Sequence, residues 1–342
     1  MTILPLIFLM LFHFTVSHKL LVISGYQNTN YRDDVVKTEV IDLDDATNAC
    51  QNQPNFPVKT HGSTAGLIEV LGRNGALVCG GTYPFNLDPI CYAIFDDATN
   101  VIGMSIHRAH AASVLINNTN LWVTGGLTPS NPLEPLEELY SLSSTEVIDA
   151  QYKTHTQGPK LPQKLFRHCS LSINQKEVMI LGGYQGDTIW DAQGISTTYF
   201  YHFDHGWRLG PDMMVARGDF GCTILEAQNG LKFVVAAGGA NKGLLDPQYL
   251  KSTELYSLTE NRWFWGPDLP LNLVAHSMVS LENKVYVIGG FTPGGNSWLG
   301  ITQSKIYEMD ENMDQWTQME QQLSEARSYA SVLVVPDSMV SC

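Results

Sequence analysis

The sequence is short of positive charge. Its 342 residues hold 20 lysines and arginines against 34 aspartates and glutamates, a formal net charge of −14. No basic run or basic stripe interleaved with aromatics occurs, so the footprint of a nucleic-acid binder is missing. Acidity of this size serves solubility. Beyond its first residues the chain has no apolar run long enough to cross a bilayer. It also has no C-terminal polar spacer and hydrophobic tail of the kind that directs a lipid anchor. Its six cysteines include no Cys-x-x-Cys, which argues against zinc ribbons and thioredoxin-like redox chemistry. No Gly-x-Ser-x-Gly elbow, P-loop or His-Glu-x-x-His is found, so three common catalytic signatures are absent.

What is present is a repeat. Six apolar runs end in glycine corners, at 20–25, 76–81, 121–126, 178–183, 233–239 and 285–290. Gly25, Gly80, Gly81, Gly125, Gly126, Gly182, Gly183, Gly238, Gly239, Gly289 and Gly290 mark these corners. Paired glycines suit a tight strand exit where φ is positive or a neighbour excludes a side chain. A second strand-like segment follows in step, at 37–43, 91–96, 144–149, 198–204, 252–257 and 304–310, with the alternation of half-buried strands. Then come a polar turn, often a tryptophan (Trp207, Trp263, Trp316), and in three units a Gly-Pro pair (Gly158-Pro159, Gly210-Pro211, Gly266-Pro267). A small-residue strand precedes the next glycine run, as in 110–115, 168–173, 220–225 and 276–281. This predicts an all-β fold of six units with four antiparallel strands each. Such sheets bury both faces only when packed around an axis, as in a propeller.

The apolar run, Gly-Gly corner, Thr-Glu-Val-type strand and tryptophan resemble the kelch repeat, and the likeness covers nearly the whole chain. WD40 is the rival propeller, but no Gly-His…Trp-Asp pairing is found. Two departures stand out: the first corner is Ser24-Gly25, and blades 1 to 3 lack the usual tryptophan. After residue 18 the chain starts at a glycine run without its inner strand, and 326–335 is an inner strand without a glycine run. The C-terminal strand is therefore expected to close blade 1.

Residues 2–14 are apolar and uncharged, and Thr15-Val16-Ser17 offers small residues at a cleavage site. Residues 1–17 are expected to be a secretory signal peptide and 18–342 the propeller. Six cysteines suit an oxidising compartment. Cys79 and Cys91 are the first choice for a disulfide. Cys169 and Cys222 either pair or remain two buried thiols, and a Cys50–Cys342 bond would pin the C-terminus. Asn117-Asn118-Thr119 is the one N-glycosylation sequon, placed in an exposed hairpin of blade 3. Asp42-Leu43-Asp44-Asp45 reads as an Asx turn, not a calcium loop.

An arginine stands just before the inner strand in four blades: Arg108, Arg167, Arg217 and Arg327. Blade 6 has Val274-Ala275 there, and blade 2 only Lys59 nearby. Converging on one channel rim, four guanidinium forks would bind carboxylates. In kelch-type ubiquitin-ligase adaptors, arginines in matching positions hold acidic peptides, so the resemblance implies a comparable pocket. The competing reading is that each arginine pairs with a neighbouring acid as part of the repeat. This chain has no BTB segment. His107 and His110, three apart on a strand, point to opposite faces and predict no metal site. His202 and His205 flank a turn. Tyr201-His202 lacks the partners of a galactose-oxidase-like copper centre. A secreted sialic-acid mutarotase-like enzyme would use His110, His168, His276 and Glu325 at the mouth. The expectation is a secreted, monomeric, non-catalytic binder without cofactor or metal, holding an extracellular protein or acidic peptide at the arginine-bearing mouth. The alternative is a carbohydrate-active enzyme using that mouth.

Overall fold

The six apolar runs are continuous because each is buried on both faces, and alternate side chains serve different neighbours. In the run Lys19–Ile23, Leu20 and Val22 pack with Tyr286 and Ile288, while Leu21 and Ile23 pack with Ala76 and Val78. The computed structural model describes residues 19–27, 33–45, 49–50, 54–83, 86–95, 98–131, 138–243, 246–294 and 300–340.

Six four-stranded antiparallel sheets form the blades of a propeller. From the axis outward, blade 1 is Ser331–Val335, Lys19–Ile23, Thr38–Asp42 and Ala49–Cys50, and blade 2 is Thr64–Val70, Arg73–Cys79, Ile90–Phe95 and Ala98–Gly103. Blade 3 is Ala112–Leu115, Asn120–Thr124, Thr145–Asp149 and Thr154–Gln157. Blade 4 is Cys169–Asn174, Glu177–Leu181, Thr198–His202 and Gly206–Leu209. Blade 5 is Gly221–Glu226, Lys232–Ala237, Thr253–Ser257 and Arg262–Trp265, and blade 6 is Ser277–Leu281, Lys284–Ile288, Lys305–Met309 and Trp316–Gln322. The C-terminal strand closes blade 1 in full register, Lys19 facing Val335 and Ile23 facing Ser331. Among the described residues no helix is long and apolar enough to cross a membrane. The segment 1–17 and Cys342 lie outside the described residues.

Three repeat features bolt neighbouring blades together. The second glycine of each corner donates its N–H to the next blade: Gly81 to Arg108 O at 3.0 Å, Gly126 to Leu165 O at 2.8 Å, Gly183 to Arg217 O at 2.8 Å. The first glycine has φ near +60° and a Cβ there would strike that same carbonyl, as Gly182 would meet Arg217 O at 2.7 Å. Ser24 takes this place in blade 1 with φ +55°, so the Ser-Gly corner keeps the backbone of the others. The indole N–H of each of the three repeat tryptophans reaches back to the preceding blade. Trp207 donates to Lys160 O at 2.8 Å, Trp263 to Pro211 O at 3.0 Å and Trp316 to Pro267 O at 3.1 Å. The Gly-Pro turns thus supply acceptors for the tryptophans.

Cys79 and Cys91 face one another in the second and third strands of blade 2 and form a disulfide, their Cα atoms 4.0 Å apart. Cys169 and Cys222 form a second, joining the inner strands of blades 4 and 5. Asp42 caps its turn, its Oδ1 accepting from the N–H groups of Asp44 at 3.0 Å and Asp45 at 3.2 Å.

Candidate functional site

The chain enters each inner strand through one residue with positive φ: Gly62, His110, Arg167, Asp219, Ala275 and Tyr329, all between +52° and +64°. Their peptides close a ring around the axis. His110 N–H donates to Gly62 O at 2.8 Å, Arg167 to His110 O at 2.8 Å and Asp219 to Arg167 O at 3.2 Å. Ala275 then donates to Asp219 O at 2.8 Å, Tyr329 to Ala275 O at 2.9 Å and Gly62 to Tyr329 O at 3.2 Å. Six blades are thereby tied into one hydrogen-bonded hoop.

The side chains of the hoop fill the mouth. Arg167 of blade 4 reaches across to blade 1, its guanidinium carbon 5.3 Å from the Tyr329 ring. It donates through Nη1 to Asp219 Oδ2 at 2.8 Å. His110 meets Tyr329 edge-on at 5.0 Å. Burial is the largest single influence on Arg167 and opposes its charge, but the hydrogen-bonded Asp219 carboxylate together with Tyr329 and Tyr184 more than offsets it and the pKa rises. Burial and the neighbouring Asp219 push the Tyr329 phenol up, with Arg167 opposing. The cavity left among these groups is about 120 Å³, well under the ~300–1,000 Å³ of ordinary small-molecule sites.

The four arginines do not form one rim. Arg108, Arg217 and Arg327 sit two residues before the hoop, and their side chains turn back into their own blades, 0–1% exposed. Arg108 Nη2 pairs with Glu146 Oε1 at 2.7 Å, Arg217 Nη2 with Glu254 Oε1 at 2.6 Å and Arg327 Nη2 with Glu39 Oε1 at 2.9 Å. Each Nη1 also donates to two backbone carbonyls, those of Gly125 and Ser144, Gly238 and Ser252, and Ser24 and Lys37 respectively. Each glutamate further accepts a backbone N–H from the connection entering the blade: Ser105 at 2.7 Å, Met214 at 2.6 Å and Ser324 at 2.9 Å. Buried charges persist only when paired and hydrogen-bonded in this way. These three guanidiniums are consumed by the fold, and only Arg167 of the four reaches the channel. The signal for this was available. Thr-Glu opens the third strand in blades 1, 3 and 5, the blades with the inward arginine, whereas blades 4 and 6 carry Leu165 and Leu273 there.

The histidines are shifted from expectation too. His110 belongs to the hoop, whereas His168 and His276 lie one residue beyond it. Burial brings both of the latter down to about 3. His168 Nε2 lies 2.8 Å from Thr124 Oγ1, and His276 Nε2 accepts the Gly221 N–H at 3.1 Å. Neutral and committed to neighbouring blades, they are poorly suited to acid–base work near pH 7. Glu325 is half-exposed and lies 4.0 Å from Arg327 Nη2. His107 Nδ1 contacts Leu87 O at 2.9 Å, away from His110. Tyr201 packs on Trp122 and Trp207 between blades 3 and 4, and His202 stacks on His205 at 4.5 Å on the exterior. Asp219 and Tyr329, which with Arg167 make the plug, were not singled out by the sequence, since neither residue type repeats at that position.

Above the hoop, among the described residues, two-stranded ribbons rise between the second and third strands of five blades: Tyr26–Gln27 with Asp33–Asp34, Thr82–Tyr83 with Asn86–Leu87, Leu127–Pro129 with Leu139–Ser141, Tyr184–Gln185 with Gln193–Gly194, and Phe291–Thr292 with Ile301–Thr302. Neighbouring ribbons support one another. Ser141 N–H donates to Asp187 O at 3.0 Å and Ile189 N–H to Leu139 O at 3.1 Å. Leu127, Phe166, Tyr184 and Ala192 form their own small core. Trp190 and Ile301 project from this crown, 51% and 52% exposed.

The family description "Kelch motif" matches residues 272–322. Over 258 residues the chain is 35% identical to the human kelch repeat and BTB domain-containing protein 12, a match spanning 73% of this chain and 39% of that protein. It is 27% identical to chicken kelch-like protein 15 over 144 residues, 41% of this chain and 27% of that protein. It is 28% identical to zebrafish kelch-like protein 41b over 155 residues, 44% of this chain and 24% of that protein. The chain therefore matches well under half the length of these relatives. Six in-phase blades, the glycine and tryptophan bolts and these likenesses together place the chain in the kelch-repeat family.

Proposed function

We propose that this kelch propeller is a secreted, non-catalytic module that docks an extracellular protein on the crown of ribbons around its plugged mouth. The observation that carries the reading is the plug. Arg167, Asp219 and Tyr329 leave a cavity of about 120 Å³, so the accessible chemistry at this end is the surface above it. Exposed aromatic and aliphatic groups ringed by polar ones suit a protein contact. Trp190 and Ile301 are such groups. Most nearby charges are already paired, Lys164 with Asp187 at 2.6 Å and Lys242 with Asp246 at 3.0 Å. Of the four arginines only Arg167 reaches the channel, and an acidic peptide's carboxylate bound there would have to displace Asp219. Secretion is supported by the apolar N-terminus and by the two disulfides in the fold.

The test is expression of the full chain in a secreting cell, N-terminal sequencing of the product, and capture from extracellular fluid. Secretion predicts a new N-terminus near residue 18. A partner retained by R167A and lost by W190A/I301A supports the crown. A partner retained by W190A/I301A but lost by R167A moves the contact to the mouth. Equal capture by all variants removes both surfaces.

A further inference from the structure

The inner strands of blades 2, 3 and 4 leave the hoop and end on the opposite face at Val70, Leu115 and Asn174. Between their hairpins lies a second cavity of about 470 Å³, within the usual range for a small organic group. Its lining is apolar at Leu67 and Leu115 and polar at Glu69, Asn74, Asn174 and Gln175. Asn174 spends its carbonyl on the Lys176 N–H at 2.8 Å. Among the described residues, the Asn174 amide nitrogen and the side chains of Asn74 and Gln175 make no hydrogen bond. Amides both donate and accept, which matches sugar hydroxyl and acetamido groups.

Asn117 lines this same cavity. Its Oδ1 accepts from the Thr119 N–H at 2.8 Å, the Thr119 hydroxyl at 3.2 Å and the Asn120 N–H at 2.7 Å. The carboxamide is thus held by its oxygen in an exposed turn, and its nitrogen remains for chemistry. Two independent features meet here: an acceptor asparagine and a polar cavity of sugar size beside it.

We infer that Asn117 carries an N-linked glycan whose first N-acetylhexosamine seats in this cavity and covers the channel face opposite the hoop. The inference rests on the secretion reading. In the transfer, Asn117 Nδ2 forms a bond to the anomeric carbon of a pyrophosphate-activated oligosaccharide. The bond from that carbon to the pyrophosphate oxygen breaks, pyrophosphate leaves with the electron pair, and the amide proton passes to the host transferase.

The full chain is expressed in a secreting cell, its mass is measured, and glycan release by an asparagine-amidase is timed on native and denatured protein. The expected results are an oligosaccharide mass that T119A lacks, and native release slower by about tenfold, a modest seating preference. N74A/N174A is expected to speed native release while the mass and melting temperature stay the same. A bare Asn117 in secreted protein overturns the inference and leaves secretion standing. Equal native and denatured release, or no effect of N74A/N174A, overturns the seating. Retention inside the cell with an intact N-terminus overturns the secretion reading itself.

Discussion

Arg167 of blade 4 extends across the channel to lie over Tyr329 of blade 1, 5.3 Å from its ring. The two strands that carry them stand on opposite sides of a six-bladed ring, so this contact spans the molecule's axis. Asp219 of blade 5 holds the guanidinium at 2.8 Å, and the mouth is closed by the chain's own side chains.

Removing one partner of the plug should be costly. R167A leaves Asp219 buried without its cation, and D219A leaves the reverse, so each is expected to lose about 3–5 kcal/mol. The double variant R167A/D219A should lose less than the sum of the two. Denaturant unfolding of the four proteins measures this coupling.

The blade arginines should behave as parts of the fold. R217A is expected to destabilise by about 3–5 kcal/mol, because Glu254 stays buried. At concentrations where the variant remains folded, partner capture should be unchanged. A binding loss in a folded R217A protein would return Arg217 to the ligand site.

The glycine corner can be tested in both directions. G182A forces a Cβ into a φ of +59° and against Arg217 O at 2.7 Å, which is expected to cost about 1 kcal/mol or more. S24G at the equivalent position relieves a serine held at φ +55° and is expected to be close to neutral, within about 1 kcal/mol. Chemical denaturation of both variants gives the comparison.

Acid should weaken the fold through the inter-blade histidines. His168 and His276 have folded values of about 3 against an ordinary 6.5, with burial the main cause. Between these limits the unfolded chain binds more protons, so their contribution is complete above pH 6.5 and fades as pH falls towards 3. Melting temperature should decline over that window, and H168Q/H276Q, which does not titrate at these sites, should decline less steeply. Parallel declines would remove the histidines as the cause.

Closure depends on the last strand. Deleting 326–342 removes the strand that pairs with Lys19–Ile23, the Arg327–Glu39 ion pair and one hoop residue. The truncated chain is expected to lose cooperative unfolding and to become protease-sensitive in blade 1, as shown by calorimetry and limited proteolysis.

Much of this was legible in residues 19–340. The spacing of the glycine corners, the Thr-Glu strands and the orphan strand at 326–335 were sufficient for six blades and their closure, because each local pattern has one way to bury both faces. The Cys79–Cys91 pair followed from the same antiparallel register. The site was harder to read. Arg108 and Arg167 both precede an inner strand, yet they differ by two positions relative to the hoop. That offset separates a side chain buried in its own blade from one spanning the channel.

The amino-acid sequence by itself determined the repeat, the strand order and the closed ring, since continuous apolar runs and glycine corners act locally and recur six times. Only the tertiary structure decided which residues face the axis. The hoop registers each blade against its neighbour through hydrogen bonds between residues about fifty positions apart, and between Gly62 and Tyr329 where the ring closes, and no pattern within one repeat encodes that alignment. Arg167, Asp219 and Tyr329 became a plug because three different blades deliver them to one point, where burial makes the ion pair the stable outcome.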